Sequence, residues 1–194
     1  MVHSEDRRVR RTKKAMTDAL AELLLQKPLK NISVREISDM ADINRGTFYL
    51  HYRDVYDMVE QIQNEIFEKF NEIVDSHETS TGVNELFPLL VELFNLLSEY
   101  SKLAKVLISK NGDAAFVDRL KSVIREKCFV NVQRLIGIKS DDEFNYFYHY
   151  IVLGCIGIFD AWLDGGMKES PAEMASIVKS LITASASKQT AAVY

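Results

Sequence analysis

Residues Ile32–Tyr52 read ISVREISDMADINRGTFYLHY. Ser33 with Glu36 is a capping-box signature, and Ile37, Met40 and Ala41 supply the inner face of the short helix it opens. Asp42 falls in a tight turn, and Asn44 can cap a second short helix that runs to about Tyr52. On that second helix Phe48 and Tyr52, four apart, point the same way and anchor it to its neighbours. The opposite face centres on Gly46 and Leu50, flanked by Arg45, Thr47, Tyr49 and, more laterally, His51. Arg45 suits two-pronged donation to guanine O6 and N7, and Leu50 suits contact with a thymine methyl. Thr47, Tyr49 and His51 can donate to phosphate oxygens, which fix register rather than sequence. Gly46 costs helix stability but lets a backbone approach a partner closely. Ser33, Val34 and Arg35 start the first short helix, whose N-terminal N–H groups can meet phosphate.

Charge is distributed to match. Residues 1–53 hold eleven basic and seven acidic residues, a balance of +4, and the remainder holds thirteen and twenty-one, a balance of −8. A basic head on an acidic body suits a chain that meets phosphate at one end only. Arg7, Arg8, Arg10 and Arg11 form either a flexible arm for a minor groove or backbone, or a solvated helix N-terminus. Arg53 stands ready for one more contact. Together these features imply a helix-turn-helix over Ile32–His51 that reads double-stranded DNA.

The rest of the chain reads as helix, with no convincing strand. Met16, Leu20, Leu23 and Leu24 give a first helix its apolar face, ending near Lys27. Asp54 can cap a long fourth helix with Val55, Met58, Val59, Ile62, Ile66, Phe70, Ile73 and Val74 inward. Polar 76–82 mark a loop, and a largely apolar helix from about Val83 to Glu99 lies deep in the body. A shorter helix ends near Asn111-Gly112. Asp113 caps another, with Phe116, Leu120, Ile124, Phe129 and Val132 inward. Ser140 with Glu143 is a second capping box, opening an aromatic helix that ends at Asp164-Gly165-Gly166. The last helix starts near Pro171 and packs Met174, Ile177, Val178, Leu181 and Ile182, and the tail from Ser185 frays.

Several classes are disfavoured. The charged N-terminus is no secretory signal. Residues 144–163 approach the length of a membrane span, but Asn145, His149 and Asp160 interrupt them, favouring a buried or subunit-interface helix. Cys128 and Cys155, far apart in apolar text, read as reduced core residues of a cytoplasmic protein. His3, His51, His77 and His149 have no metal-ligand spacing, and no nucleophile elbow, phosphate-binding glycine loop or paired catalytic carboxylates stand out. No metal, cofactor or enzymatic activity is expected.

Residues 12–60, through TKKAMTDALAELL and SVREISDMADINRGTFYLHYRD, resemble the DNA-binding domain of the TetR family of transcriptional regulators. The resemblance rests on GTFY-x-H-aromatic, preceded by Ser-x-x-x-Ile and Ala-x-Ile. It implies an all-α fold of about nine helices: a DNA-binding domain over 1–53, its linking helix beginning before residue 60, and an effector-binding and dimerisation domain over 54–194. It implies a homodimer whose third helices enter the major groove at the two halves of a near-palindromic operator. Two positions depart from the family pattern. Asp42 replaces the usual turn glycine, and Val55 replaces a lysine that commonly contacts phosphate. Arg53, Tyr56 or the arginines near the N-terminus would compensate, or DNA affinity falls below the family norm.

The ending GCIGIFDAWLDGGMKESPAEMASIVKSLI resembles that of many Gram-positive members, which implies a four-helix bundle formed with a symmetry mate by the last two helices. Gly154 and Gly157 would admit close helix approach there, or else at a crossing within one subunit. Phe94, Tyr100, Phe116, Tyr146, His149 and Trp162 are candidates to line the pocket of an unknown small-molecule effector, although aromatics at helical spacing also build plain core. The expected function is an effector-responsive repressor. The alternative is a TetR-like adaptor or co-activator working mainly through protein contacts.

Overall fold

In the computed structural model, residues 2–77, 86–108, 114–128 and 140–191 are described, and every regular element among them is helical. Among the described residues nine α-helices follow in order: α1 Val2–Gln26, α2 Val34–Met40, α3 Arg45–Tyr49, α4 Val55–Ser76, α5 Leu86–Glu99, α6 Ser101–Ile108, α7 Ala114–Val123, α8 Asp141–Asp164 and α9 Pro171–Ala191. A 3₁₀ turn, Leu29–Asn31, joins α1 to α2, and α7 runs on into a π-helical turn, Ile124–Cys128. The expected loop beyond residue 77, the stop near Asn111-Gly112, the Asp113 cap and the inward Phe129 and Val132 lie outside the described residues, as does the side chain of Cys128.

Local chemistry sets the helix starts. Ser33 and Glu36 form the reciprocal capping box, with Ser33 Oγ accepting from the Glu36 N–H and Glu36 accepting from the Ser33 N–H. Asn44 caps α3 through the Gly46 N–H, and Asp54 caps α4 through the Asp57 N–H. Ser140 caps α8 through the Glu143 N–H, but no return bond from Glu143 completes a box there. Ser170 and Glu173 do bond reciprocally at the start of α9, a pairing that Pro171 overshadows in the sequence.

Packing then fixes the head. Met16 and Leu20 of α1, Ile37 of α2, Phe48 of α3 and Met58 of α4 are fully buried in one cluster. Met40, expected inside, is 46% exposed; Ser38 takes the inner position, its Oγ without a hydrogen-bond partner among the described residues. The α4 stripe is as expected, with Val59 and Ile73 half-buried and the other six residues buried. The head cluster continues into the body, because Leu103 and Leu107 of α6 and Phe116 of α7 belong to it. Thus α6 packs on α1, a long-range contact with no signature in either helix.

The body is built around α5, which lies along α9. Phe94, Phe159, Trp162, Met174, Ala175 and Val178 form its main core. Helix α8 is long and apolar enough to cross a membrane by length and composition, yet one face, from Phe147 to Leu163, is buried in the body. Its other face is exposed at Tyr146, Tyr150 and Leu153. Ile177 and Leu181 of α9 are also exposed, correcting the expectation that they pack inward. A Cβ added at Gly154 or Gly157 would meet nothing within 4 Å, so no tight crossing forms there among the described residues. Helix α9 continues to Ala191, so the backbone beyond Ser185 is helical rather than frayed.

Phe48 and Leu50 sit two residues apart with opposite environments, at 0% and 81% exposure. Phe48→Ala should destabilise the protein by about 3–5 kcal/mol, and Leu50→Ala by no more than about 0.5 kcal/mol, as read by urea unfolding.

Candidate nucleic-acid interface and body cavity

The turn between α2 and α3 depends on Asp42, whose φ of 53° puts a non-glycine residue in the left-handed region. The Ile43 N–H closes the turn on the Ser38 carbonyl at 3.0 Å. Asp is among the side chains that tolerate this backbone, so the family's usual glycine is dispensable here. Helix α3 that follows is shorter than expected, ending at Tyr49, with Leu50 to Tyr52 held by bonds back to Gly46 and Phe48.

The anchoring side of α3 is as expected. Phe48 and Tyr52 are buried with ring centroids 5.6 Å apart, and Lys13 of α1 lies over the Tyr52 ring. Burial pushes the Tyr52 hydroxyl up to about 12. On the solvent side stand Asn44, Arg45, Gly46, Tyr49 and Leu50, with Thr47 and His51 half-buried at the edges. Among the described residues Arg45 makes no ion pair. A Cβ at Gly46 would lie 3.4 Å from Asn44 Oδ1, an ordinary contact. The missing side chain therefore answers no crowding inside the chain and leaves the outer face open. Burial and the nearby Lys13 lower the His51 pKa, which favours its neutral imidazole.

The flanks are more constrained than the sequence suggested. Ser33 is committed to its capping box, and its hydroxyl also bonds Glu36 Oε2 at 2.8 Å. Val34 is half-buried against the head core, and Arg35 pairs with Asp39 at 3.4 Å. Arg53 is exposed, but its guanidinium bonds Asp57 Oδ1 through Nε and Nη2, and its own N–H donates to Asp57 Oδ2 at 2.8 Å. Gln61 donates to the same carboxylate. Led by the backbone bond from Arg53, these donors lower the Asp57 pKa. Asp57 was not singled out in the sequence; an acid three residues after the Asp54 cap was the available signal. Val55 is buried, and Arg53, Asp54 and Tyr56 face solvent at this end of α4.

Arg7, Arg8, Arg10 and Arg11 stand on α1 itself. The choice between a flexible arm and a helix N-terminus is thereby resolved for the helix. All four are exposed, and Arg7, Arg8 and Arg11 line a groove that Ala41 and Ile43 of the turn close from the other side.

Below the head, a partly open cavity of about 140 Å³ is bounded by α4 through α9. Phe94, Tyr100 and Phe116 line it. Trp162 lies in the adjoining core, edge-on to Phe94, with Nε1 donating to the Glu169 carbonyl. Tyr146 and His149 face outward on α8 and do not reach the space. Ile66, Leu107 and Phe116 belong both to this wall and to the head core.

Family comparison matches residues 16–62 to "Bacterial regulatory proteins, tetR family" and residues 84–184, over half the chain, to "Transcriptional regulator C-terminal region". This chain belongs to the TetR family. It is a DNA-binding transcriptional regulator rather than an enzyme. Its similarity to the uncharacterized HTH-type transcriptional regulator YxbF of Bacillus subtilis (strain 168) is 21% identity over 171 residues, covering 86% of this chain and 43% of YxbF. The TetR-type fold is shared with FadR from Bacillus subtilis, solved in complex with stearoyl-CoA, at 17% identity and TM-score 0.62, covering 87% and 96% of the two chains. The dihydroxyacetone kinase operon activator DhaS is similar at 21% identity and TM-score 0.59, covering 91% and 96%.

Glu36 ties α2 to the end of α1, accepting from Lys27 Nζ at 2.5 Å as well as from Ser33. The Lys27 bond and then the Ser33 bonds hold its carboxyl down at about 2, against an ordinary 4.5. Because the folded value lies below the unfolded one, this stabilisation is complete above about pH 4.5 and lost as pH falls toward 2. In urea unfolding between pH 6 and pH 2.5, the advantage of the native protein over Glu36→Gln should shrink steadily at the acid end.

Proposed function

We propose that this TetR-family chain is an effector-responsive repressor that binds a near-palindromic operator as a homodimer. The observation that carries the reading is the outer face of α3, where Arg45, Gly46, Tyr49 and Leu50 are exposed on a helix pinned from behind by Phe48 and Tyr52. Arg45 and Leu50 would read base edges. Thr47, Tyr49, His51 and the α2 start at Ser33, Val34 and Arg35 would fix register on phosphate, with Asn44 capping the reading helix. Arg53, loosened from Asp57, and the arginines of α1 would add backbone contacts. Residues 1–53 form the reading head and 54–194 the effector and dimerisation domain. Such a protein works in the cytoplasm, without a membrane.

The dimer reading draws on the exposed apolar side chains of α8 and α9, Tyr146, Tyr150, Leu153, Ile177 and Leu181, which no described residue covers. The effector reading draws on the body cavity and on its shared wall. A ligand pressing on Ile66, Leu107 or Phe116 acts on side chains that also support the head. Occupied and empty arrangements then differ in head spacing and in DNA affinity. That FadR was solved with stearoyl-CoA supports small-molecule control on this fold.

A second reading, a co-activator acting through another protein, is favoured by two observations. DhaS is an operon activator, and the α4 end offers Val55 in the core and Arg53 tied to Asp57 where the family commonly offers a lysine.

Gel-shift titration against the gene's own promoter separates the readings. Arg45→Ala should weaken specific binding by about 5- to 150-fold and relax preference at one base pair, with Tyr49→Ala weakening binding more evenly across sequences. Regulation that survives both substitutions in cells favours the co-activator. For the dimer, Gly157→Arg adds a charge where the subunit itself has open space, so the variant should fold and sediment as a monomer; a dimer of unchanged affinity would refute this face.

A further inference from the structure

Resting on the effector reading above, we infer that the ligand of the body cavity is a compact, uncharged, apolar molecule of about six to nine non-hydrogen atoms, such as a substituted benzene ring. Size is the first ground. The cavity measures about 140 Å³, and a dry protein cavity of about 150 Å³ lined by Leu, Ile and Phe takes up benzene. A long acyl chain with a charged nucleotide head is far too large for this space.

Polarity is the second ground. Among the described residues the lining is aliphatic and aromatic apart from Tyr100, Lys121 and Cys155, and almost none of the surface that faces the space is polar. The Tyr100 hydroxyl donates to Glu65 Oε1 at 2.7 Å and accepts from Lys69 Nζ at 2.7 Å. Lys121 Nζ is paired with Asp118 at 2.9 Å. Cys155 is free of disulfide, and burial raises its thiol to about 11, so it enters as a neutral, weakly polar group. Among the described residues the one buried side-chain N or O atom without a partner belongs to Ser38, in the head. A carboxylate or hydroxyl taken into the cavity would lose its water and gain no replacement, a loss of roughly tenfold or more in affinity.

Shape is the third ground. Phe94 and Phe159 face the space with centroids 6.4 Å apart, and Phe116 bounds it from α7. Rings disposed in this way offer edge and face contacts to a further aromatic ring.

Thermal unfolding of the full chain tests the inference with three probes: ethylbenzene, benzoate and stearoyl-CoA. Ethylbenzene at ten times its Kd should raise Tm by about 3–6 °C, with no rise from the other two at the same concentration. Cys155→Leu, which adds bulk to the wall, should weaken ethylbenzene binding tenfold or more; Val117→Phe serves if that variant fails to fold. A larger rise with benzoate or stearoyl-CoA overturns the inference, as does no rise with any probe. An ethylbenzene shift untouched by both wall variants overturns it too. Operator binding is measured separately. A cavity-dependent shift that leaves operator affinity unchanged supports the ligand class and removes the effector reading.

Discussion

Leu103, Leu107 and Phe116 lie in the same apolar cluster as Met16, Leu20, Phe48 and Met58. This shared cluster is the constraint on which the rest of the molecule depends. A head of about fifty residues, in which α2 and α3 are only seven and five residues long, buries little apolar surface by itself. Its recognition helix is five residues long, far below the length at which a helix is stable in isolation. The head is ordered because α1 and α4 flank it and because α6 closes the cluster from the body side. The cost of a fused core is mechanical dependence: whatever repacks the body side is felt by Phe48 and by the helix it holds.

Electrostatics refine what packing sets. The head meets solvent with two kinds of cation. Arg35 and Arg53 are engaged by carboxylates one helical turn away, whereas Arg45 and the α1 arginines make no ion pair among the described residues. A paired arginine must exchange one carboxylate for one phosphate, so its net gain on DNA is small. An unpaired arginine brings its full charge. His51, whose neutral form is favoured, completes the division.

Much of this was legible in the sequence, for reasons of range. The caps at Ser33, Asn44, Asp54 and Ser140 act within three residues of themselves, so spacing alone declares them. The α4 stripe and the opposed faces of α3 follow from the helical repeat. What was not legible needs distant parts of the chain. Ile177 and Leu181 obey the same periodicity as buried residues, and no repeat tells an apolar face covered by its own subunit from one left outside. Met40, expected inside, lies outside, and Ser38, to which the spacing assigned no role, is buried instead. Tyr146, His149 and Trp162 share helix α8 with cavity-lining residues, yet the roll of that helix turns the first two outward and seats the third in solid core. Contact between α1 and α6 joins residues almost ninety positions apart and leaves no trace in either segment.

The basic end of α1 carries one more consequence. Arg7 to Arg11 belong to a helix that already exists in the free protein and continues into the head core. A tail that orders only on reaching a duplex loses chain entropy at that moment and leaves a large negative heat-capacity change in the binding thermodynamics. Here the guanidinium groups are presented on a rod whose backbone is arranged beforehand. Were these groups to meet phosphate, the encounter would be closer to rigid-body docking, without the heat-capacity change of a tail that folds on binding.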